Sequence, residues 1–433
     1  MKIFGKEGNE MSRYLDAALH ETKSFVEHFL VCLKWIALSL ISGLALGLVS
    51  YAFYECLSFV TEFRLTHGKI IWALPVAGLF IVFIYEKFGG KVSKGTNMVL
   101  AAINSDEKIP VIMLPLIFIS TVISHLFGAS VGREGAALQM GASFGNTFAG
   151  ILKLNDNDKK ILIMTGMSAA FSALFGTPLA AAVFSMEVIS VGVMYYSALV
   201  PCVVSALTAA SVAKHLGVQY ADYKLSVVPE FTLYTGGMTI LLGILFAIVS
   251  IVLCMVLILS ERGMVNHIKN PYIRVFAAGL LIACFTALMG TQDYNGLGTG
   301  VITAALSGNV VWYAFIIKML ITGVSLSGGY RGGEIVPVLF IGATFGALCG
   351  NILGFAPGFC AALGMTAVFC GVTNSPVASI LIGIELFGGK GIWFFCLCIA
   401  ISYMLSGYFG LYKSQLIIYS KYRSVYVHRK TKR

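Results

Sequence analysis

Two glycine-rich stretches place glutamates inside long apolar runs of this chain. Glu134 lies within GREG (residues 132–135), and Glu334 lies within GEIVP (residues 333–337). A carboxylate at membrane depth costs about 3 kcal/mol or more, so such a group by default indicates an ion or proton pathway. Because the arrangement occurs twice, it predicts two halves of the chain built around one site.

The composition is that of a membrane protein. The chain has 433 residues, of which 58% are hydrophobic and only 12% are charged. Roughly a dozen apolar segments approach or reach the length of about 20 residues that spans a bilayer core as a helix. Since every backbone polar group must be paired inside the bilayer, these segments predict an all-α polytopic membrane protein. Residues 1–29 are mixed in charge and amphipathic, unlike a cleavable signal peptide.

The net charge of +10 is mainly a signal of topology. Basic residues without any acidic residue crowd the C-terminal end: Lys413, Lys421, Arg423, Arg429, Lys430, Lys432 and Arg433. By the positive-inside rule we expect this tail to be cytoplasmic, and we expect the N-terminus on the same side. Binding of nucleic acid is the alternative. Contact with anionic lipid explains the same charges, so no nucleic-acid partner is expected.

The ten cysteines lie mostly in apolar surroundings, without the spacing of metal sites or disulfide frameworks. Cys396 and Cys398 are two residues apart, which places their thiols on different faces of a helix. We therefore expect no metal site, no redox role and no cofactor.

An internal repeat organises the chain. Residues 166–171 (GMSAAF) match residues 364–369 (GMTAVF) at an offset of 198 residues (364 − 166), and the two glycine motifs match at 201 (333 − 132). Further pairs at the offset of 198 are Pro178 with Pro376, and Glu187 with Glu385. The sequence alone leaves open whether the repeats are parallel or inverted. The predicted divisions are an amphipathic cytoplasmic N-terminal segment (1–29), a first transmembrane repeat (30–220), a linker (221–236), a second transmembrane repeat (237–412) and a basic cytoplasmic tail (413–433).

Short elements begin at glycine clusters in both halves, at residues 95–97, 132–135 and 328–333. Glycine permits unusual backbone angles, and Pro337 suits the first turn of a following helix. A helix that starts inside the membrane leaves its first N–H groups unpaired and exposes the positive end of its dipole. Two or three such ends that converge would form an anion site without a buried cation.

These motifs resemble those of the CLC family of chloride channels and proton-coupled exchangers. GREG at residues 132–135 is similar to the family's signature, and GEIVP at 333–337 is similar to its second anion-binding helix start. GTNMV at residues 95–99 lies where the first is expected, and GLY at 410–412 resembles the segment that bears the pathway tyrosine. The resemblance covers residues 30–415. It implies the CLC fold, with two inverted-topology helical repeats, in a homodimer with one anion pathway per subunit.

The resemblance implies that Glu134 is a gating glutamate, which occupies an anion site when ionised and leaves it when protonated. The physical logic is general, because a carboxylate that competes with anions for one site couples their passage to its protonation. The alternative is a permanent buried ion pair with Arg133, but adjacent side chains on a helix diverge, so we expect these two to point apart. The resemblance implies anion-binding roles for Gly95, Thr96, Asn97, Met98, Gly132, Arg133, Gly135, Gly333, Ile335, Val336 and Tyr412.

Three departures from the common chloride pattern agree with one another. The first motif lacks its second glycine and its proline, Glu187 is followed by Val188 instead of a second glutamate, and Glu334 replaces an apolar residue. Together they resemble the fluoride-exporting bacterial branch of the family. That resemblance implies that Glu134 and Glu334 carry the proton coupling.

Thr96 and Val336 fit that branch less well. The branch more often has Met or Asn in place of Thr96, and it often has Thr in place of Val336. Both would lie close to the anion, so they bear on the choice of halide.

We expect fluoride/proton antiport (fluoride export) in the plasma membrane of a prokaryote, with chloride/proton antiport or passive chloride conduction as the alternative. The expected partners are a halide anion, protons, lipid and a second subunit. For Tyr412 the alternative is an interfacial aromatic.

Four other polar residues have simpler interpretations. The equivalence of Glu187 and Glu385 favours a structural role, such as capping a backbone turn or lining a subunit interface, and a water wire through Glu187 is the alternative. Ser325 superficially resembles a serine of an intramembrane hydrolase, but no histidine lies in an evident partner motif, so glycine–serine helix packing is expected. His125 is expected to be a helix-packing histidine whose hydrogen bonds are satisfied.

Overall fold

The structure, a computed structural model, describes residues 4–90, 95–105, 107, 109–220, 223, 225 and 227–432, with side chains from residue 24 onward. Within these ranges the α-helices are α1 (Phe4–Thr66), α2 (Leu74–Ile84), α3 (Thr96–Asn104), α4 (Met113–Phe127), α5 (Glu134–Ile151), α6 (Asp156–Phe175), α7 (Pro178–Glu187), α8 (Leu199–His215), α9 (Leu233–His267), α10 (Pro271–Met289), α11 (Thr299–Leu306), α12 (Ala314–Gly328), α13 (Ile335–Leu353), α14 (Pro357–Thr373), α15 (Pro376–Phe387) and α16 (Ile392–Leu405). The strands are β1 (Ser190–Val191), β2 (Leu416–Tyr419) and β3 (Tyr426–Lys430).

The helices are those of a multi-pass membrane protein, as the sequence predicts. In the described part of the chain, six helical segments are long and apolar enough to cross a bilayer: Ser24–Thr66, Gly68–Gly89, Tyr196–His215, Leu233–His267, Pro271–Met289 and Ile335–Leu353. Others are apolar but shorter, such as α4 and α12 with 15 residues each. At 1.5 Å per residue they cover about 22 Å of a core that is about 30 Å thick, so neither of these helices is long enough to span it alone.

The predicted repeat is visible in the helix boundaries. Helix α12 begins and ends 201 residues after α4 (314 − 113 and 328 − 127). Helix α13 begins 201 residues after α5, and α15 begins 198 residues after α7. The offsets are those of the sequence repeat, so each half supplies one copy of the same helix order.

Glycines let the backbones of neighbouring helices touch at the same place in both repeats. On α5, a Cβ at Gly141 would collide with the carbonyl oxygen of Gly166 on α6, and the reverse is also true. In the second repeat, Gly342 on α13 and Gly364 on α14 meet in the same way. Contacts of this kind between small residues hold membrane helices together, because lipid tails provide no hydrophobic driving force for their association.

The C-terminal residues, predicted only as a basic tail, form part of a small sheet. Strand β2 pairs in parallel with β1 of the first repeat and antiparallel with β3. The sheet therefore ties the last residues of the chain to the loop after α7.

The predicted division at residues 29 and 30 falls inside α1, which runs across it as one helix. The amphipathic character of residues 1–29 depends largely on side chains outside the described residues. Positions 221, 222, 224 and 226 of the predicted linker also lie outside the described residues. The five divisions stay predictions.

Replacing Gly141 with alanine tests the helix contact. We expect Gly141→Ala to destabilise the folded protein by about 1–3 kcal/mol, because the added methyl group must push α5 and α6 apart. Gly150→Ala on the same helix is the matched control, since a Cβ there meets no atom within 4 Å. Thermal unfolding of both variants in detergent measures the difference. Equal melting temperatures would contradict the backbone contact.

Candidate functional site

The two glycine motifs meet in the centre of the molecule. Gly132 N–H donates to the carbonyl oxygen of Gly333 at 2.6 Å, and Gly333 N–H donates to that of Gly132 at 2.6 Å. The pair is an antiparallel bridge between equivalent positions of the two repeats. A Cβ at Gly135 would lie 2.7 Å from Gly333 Cα, so this approach requires glycine. Helices α5 and α13 start immediately after this glycine crossing.

Two cavities reach the glycine crossing. The first has a volume of about 520 Å³ and is lined by Glu134 from α5 and Val336 from α13, and we name it the Glu134 cavity. The second has a volume of about 750 Å³ and is lined by Glu334 and by Gly135 of α5, and we name it the Glu334 cavity. Each cavity thus combines a glutamate of one repeat with a helix start of the other.

The predicted first helix start lies in the Glu334 cavity. Gly95, Thr96 and Asn97 all line it. Gly95 adopts a φ of +57°, which glycine tolerates better than other residues, and α3 begins at Thr96. Gln139 Nε2 donates to Thr96 Oγ1 at 3.2 Å, so the hydroxyl hydrogen of Thr96 can point elsewhere. The result is a hydroxyl donor at the start of a helix that faces the cavity.

Tyr412 also lines the Glu334 cavity and is only 2% exposed. Two hydrogen bonds hold the backbone here. Leu411 N–H donates to the Val372 carbonyl at 2.9 Å, and Thr431 Oγ1 donates to the Tyr412 carbonyl at 2.7 Å. Ser414, two residues after Tyr412, is also held in place, because its N–H donates to Asn97 Oδ1 at 3.1 Å. The C-terminal sheet and α3 thus position the tyrosine together.

Arg133 and Glu134 form an ion pair, contrary to the expectation that they point apart. Arg133 Nε donates to Glu134 Oε1 at 3.1 Å, and Arg133 Nη2 donates to the Leu174 carbonyl at 3.3 Å. The expectation was wrong because the long, flexible Arg133 side chain reaches the neighbouring carboxylate even though its own backbone angles are helical, with φ −103° and ψ −28°. Glu134 Oε2 is buried and has no hydrogen-bond partner in the described chain. The carboxylate is therefore held through one of its two oxygens.

Glu187 and Glu385 are held through both oxygens, each at the start of a helix in the other repeat. Glu187 accepts from Val377 N–H at 3.1 Å and from Ala378 N–H at 2.9 Å on α15. Glu385 accepts from Leu179 N–H at 3.0 Å and from Ala180 N–H at 2.9 Å on α7. A charged acceptor at a helix N-terminus satisfies donors that lack an intrahelical partner. The expected structural role as backbone caps is confirmed.

The structure sorts the remaining predicted residues by location. Arg133 lines the Glu134 cavity, while Gly132 and Gly333 form the crossing itself. Met98 and Ile335 are buried and do not occur among the described residues that line either cavity.

Sequence reasoning missed Gln139 and Thr299. Thr299 starts α11 in the Glu134 cavity, after Gly298 with a φ of +70°. The dipeptide Gly298-Thr299 repeats Gly95-Thr96, and this could have revealed it.

The other polar residues are explained only in part. Ser325 Oγ accepts from Ser130 N–H at 3.0 Å, and Gly323 of the same helix packs against Ser260 of α9, which agrees with helix packing. His125 is 1% exposed and has a hydrogen bond to the Gly132 backbone, but its Nε2 has no partner among the described residues, so the expectation of a satisfied histidine holds only in part. Across the described ranges, no group of three or more His, Cys, Asp or Glu side chains could hold a metal ion.

Comparisons with known proteins agree on one family. The family model described as voltage gated chloride channel matches residues 77–407. A chloride/fluoride channel protein of Pseudomonas syringae pv. tomato is 36% identical over 396 residues, which cover 90% of this chain and 88% of that protein. An H(+)/Cl(-) exchange transporter, ClcA, of Vibrio cholerae is 26% identical, with 81% of each chain covered. The crystal structure of a CLC-type fluoride/proton antiporter matches with a TM-score of 0.86 and 31% identity over 88% of this chain and 97% of that one.

The reciprocal caps can be tested by neutralising one of them. Glu385→Gln retains one acceptor oxygen but loses the charge and one of its two backbone hydrogen bonds, so we expect a loss of about 1–3 kcal/mol of stability. Glu187→Gln should have a similar effect, because it removes the equivalent contact. Thermal unfolding measures both, and Glu261→Gln, at an exposed ion pair with Lys413, is the control. Full stability in both cap variants would contradict the capping role.

Proposed function

This chain belongs to the voltage-gated chloride channel (CLC) family, and from this premise we propose that it exchanges fluoride for protons across the membrane. The observation that carries the mechanism is the incompletely held carboxylate of Glu134 beside the crossing where two cavities approach each other. A carboxylate held through one oxygen moves more readily than one held through two, as in Glu187 and Glu385. Glu134 is therefore the movable carboxylate.

Glu134 couples the anion to the proton by competition. It is the first residue of α5, where unpaired backbone N–H groups and the positive end of the helix dipole favour negative charge. An ionised Glu134 and a fluoride ion are alternative occupants of this region. Protonation removes the charge of the carboxylate, releases it from the helix start and admits the anion. Return of the carboxylate expels the anion and requires loss of the proton.

Glu334 serves the other side of the crossing. It lines the Glu334 cavity together with Gly135, the residue that follows Glu134. A proton that reaches Glu334 from this cavity needs to pass only the glycine crossing to meet Glu134. The two glutamates differ in their register to the paired glycines, since Glu134 is two residues after Gly132 and Glu334 one residue after Gly333. They consequently serve as gate and proton partner rather than as two equal sites.

The choice of fluoride rests on relatives and on Thr96. Two relatives have fluoride in their names: the chloride/fluoride channel protein at 36% identity and the fluoride/proton antiporter at 31% identity. Thr96 accepts from Gln139 and thus retains its own hydrogen to donate to an anion. A small, strongly hydrated anion needs such donors when it loses its water.

Chloride/proton antiport or passive chloride conduction is the second candidate, and Val336 favours it. This apolar side chain lines the Glu134 cavity, where a hydroxyl group would offer fluoride an additional donor. The exchange transporter of Vibrio cholerae is named for chloride.

For the cellular setting, we propose the plasma membrane of a prokaryote, a homodimer and two cytoplasmic termini. The named relatives come from bacteria, and the basic residues of the C-terminal tail follow the positive-inside rule. Chemical cross-linking in native membranes tests the dimer, and accessibility of an introduced cysteine tag at each end tests the orientation.

Flux from proteoliposomes tests the function. Vesicles that contain the purified protein and are preloaded with fluoride or chloride are expected to release fluoride faster, with protons moving in the opposite direction. Ion-selective electrodes and a pH probe measure both fluxes together. Equal release of the two halides would exclude the proposed selectivity. Anion release without proton movement would make the protein a channel.

Neutralising the gate separates coupling from folding. Glu134→Gln is expected to abolish proton movement, because the amide cannot exchange a proton. Glu62→Gln is the matched control, since Glu62 is an exposed carboxylate that lines the same cavity, and it should retain coupled exchange. Wild-type proton coupling in Glu134→Gln would end the gating assignment. Loss of folded protein, with normal exchange per folded molecule, would favour a permanent Arg133–Glu134 ion pair with a structural role.

The role of the cavity wall in selectivity is tested at Val336. Val336→Thr keeps the shape of the side chain and adds a hydroxyl group, so we expect a severalfold rise in the ratio of fluoride to chloride flux, corresponding to about 1 kcal/mol for one hydrogen bond. Val336→Ala is the control for volume alone. An unchanged flux ratio in the threonine variant would remove Val336 from the selectivity mechanism.

A further inference from the structure

Two cations are buried close to the Glu134 cavity. Arg64 is 3% exposed and Lys318 is fully buried. Lys318 Nζ donates to the carbonyl oxygens of Tyr294 at 3.0 Å and Gly296 at 2.7 Å, and Arg64 Nη1 donates to Gln292 Oε1 at 2.7 Å. All of these acceptors are neutral, and neither cation takes part in the salt bridges among the described residues. Both basic side chains are therefore buried without a salt-bridge partner among the described residues.

A buried histidine lies near these two basic side chains. His125 lies within electrostatic range of Arg64, Arg133 and Lys318. Arg64 Nε and His125 Nε2 are both buried without a hydrogen-bond partner in the described chain. A group that served packing alone would have its donors satisfied, because an unpaired buried polar atom costs about 1–3 kcal/mol. The burial of a cation without a counter-ion is costly in itself, so it points to a role for the charge.

Arg64 and Lys318 lie next to residues that line the Glu134 cavity, outside the lining itself. Leu65, next to Arg64, and Leu297, next to Gly296, both line this cavity. The loop that Lys318 holds also fixes the segment before the crossing, since Gly296 N–H donates to the Ala129 carbonyl at 3.1 Å. The charges are thereby held in place relative to Glu134. The carboxylates on the open side, Glu62 and Asp293, are exposed and shielded by solvent.

The internal repeat does not copy this arrangement. At the offset of 201 residues the position equivalent to Lys318 is Ile117 (318 − 201), which lines the Glu334 cavity. The cations of that cavity, Arg274 and Lys413 among them, share its lining with the carboxylates Glu107 and Glu261. Among the described residues, the second repeat thus has a buried lysine at this position where the first repeat has an isoleucine.

We propose that Arg64 and Lys318 form a fixed positive pole that sets anion affinity and the protonation of Glu134 in the Glu134 cavity. The inference rests on the proposed function of that site. The pole attracts the ionised glutamate and the halide to the same region, so it strengthens both competitors and favours anions over cations. At an effective dielectric constant of about 20, a charge on the order of 10 Å from an anion would change its affinity by roughly tenfold or somewhat more.

The test compares Lys318→Met, which keeps length and removes charge, with Lys318→Arg, which keeps the charge. KM and kcat for fluoride and the pH profile of exchange are measured in proteoliposomes. For Lys318→Met, at a pH low enough to keep Glu134 protonated, we expect a KM about tenfold higher, because the halide loses the attraction while no ionised glutamate competes with it. We also expect a pH–rate midpoint displaced to higher pH, because loss of a nearby positive charge favours the protonated glutamate. Lys318→Arg should stay close to wild type in both. A purely structural role would lower kcat or yield and leave the pH midpoint in place.

Arg64→Gln provides the same test if Lys318→Met does not fold, since it removes the other charge and retains a hydrogen-bond donor toward Gln292. A wild-type KM and pH midpoint in a folded charge-removing variant would overturn the pole. Failure of the wild-type protein to exchange a halide for protons would instead overturn the proposed function, so the two failures are distinguishable.

Discussion

The contact between Gly132 and Gly333 is the constraint on which the rest of the site depends. Two backbone hydrogen bonds join equivalent residues of the two repeats, and the absence of side chains lets α5 and α13 start from one point. From that point the first turn of α5 lines both cavities, through Glu134 and Gly135, and the first turn of α13 lines the Glu134 cavity through Val336. A larger residue at Gly135 or Gly333 would separate the repeats, and the two cavities would no longer share a thin partition.

Three carboxylates show how the same chemistry can be rigid or movable. Glu187 and Glu385 each accept two backbone hydrogen bonds from the other repeat, so they fasten the halves together. Glu134 accepts one hydrogen bond from its neighbour Arg133 and keeps a buried oxygen without a partner. An ionised group that is satisfied on both oxygens is costly to displace. The difference in hydrogen bonding therefore separates Glu134, the proposed gate, from the two caps more clearly than residue type does.

The repeat supplies a symmetric scaffold, and substitutions give its two sides different chemistry. The helix starts at Thr96 and Thr299 are close copies, each preceded by a glycine with positive φ. The buried charge of Lys318, by contrast, has an isoleucine as its mate. A transporter that exchanges unlike ions needs such a difference, because identical cavities would offer no distinction between the direction of the anion and that of the proton.

The sequence by itself determined the membrane class, the repeat and the helix starts at the glycine motifs, because these follow from local composition and spacing. The resemblance added the family, which the comparisons confirm. Only the tertiary structure decided the pairing of Arg133 with Glu134, the reciprocal caps, and the sheet that holds Tyr412. The caps and the sheet join residues that are far apart in the chain. The ion pair depends on how the side chains of two adjacent residues are directed, which no pattern of residue types specifies.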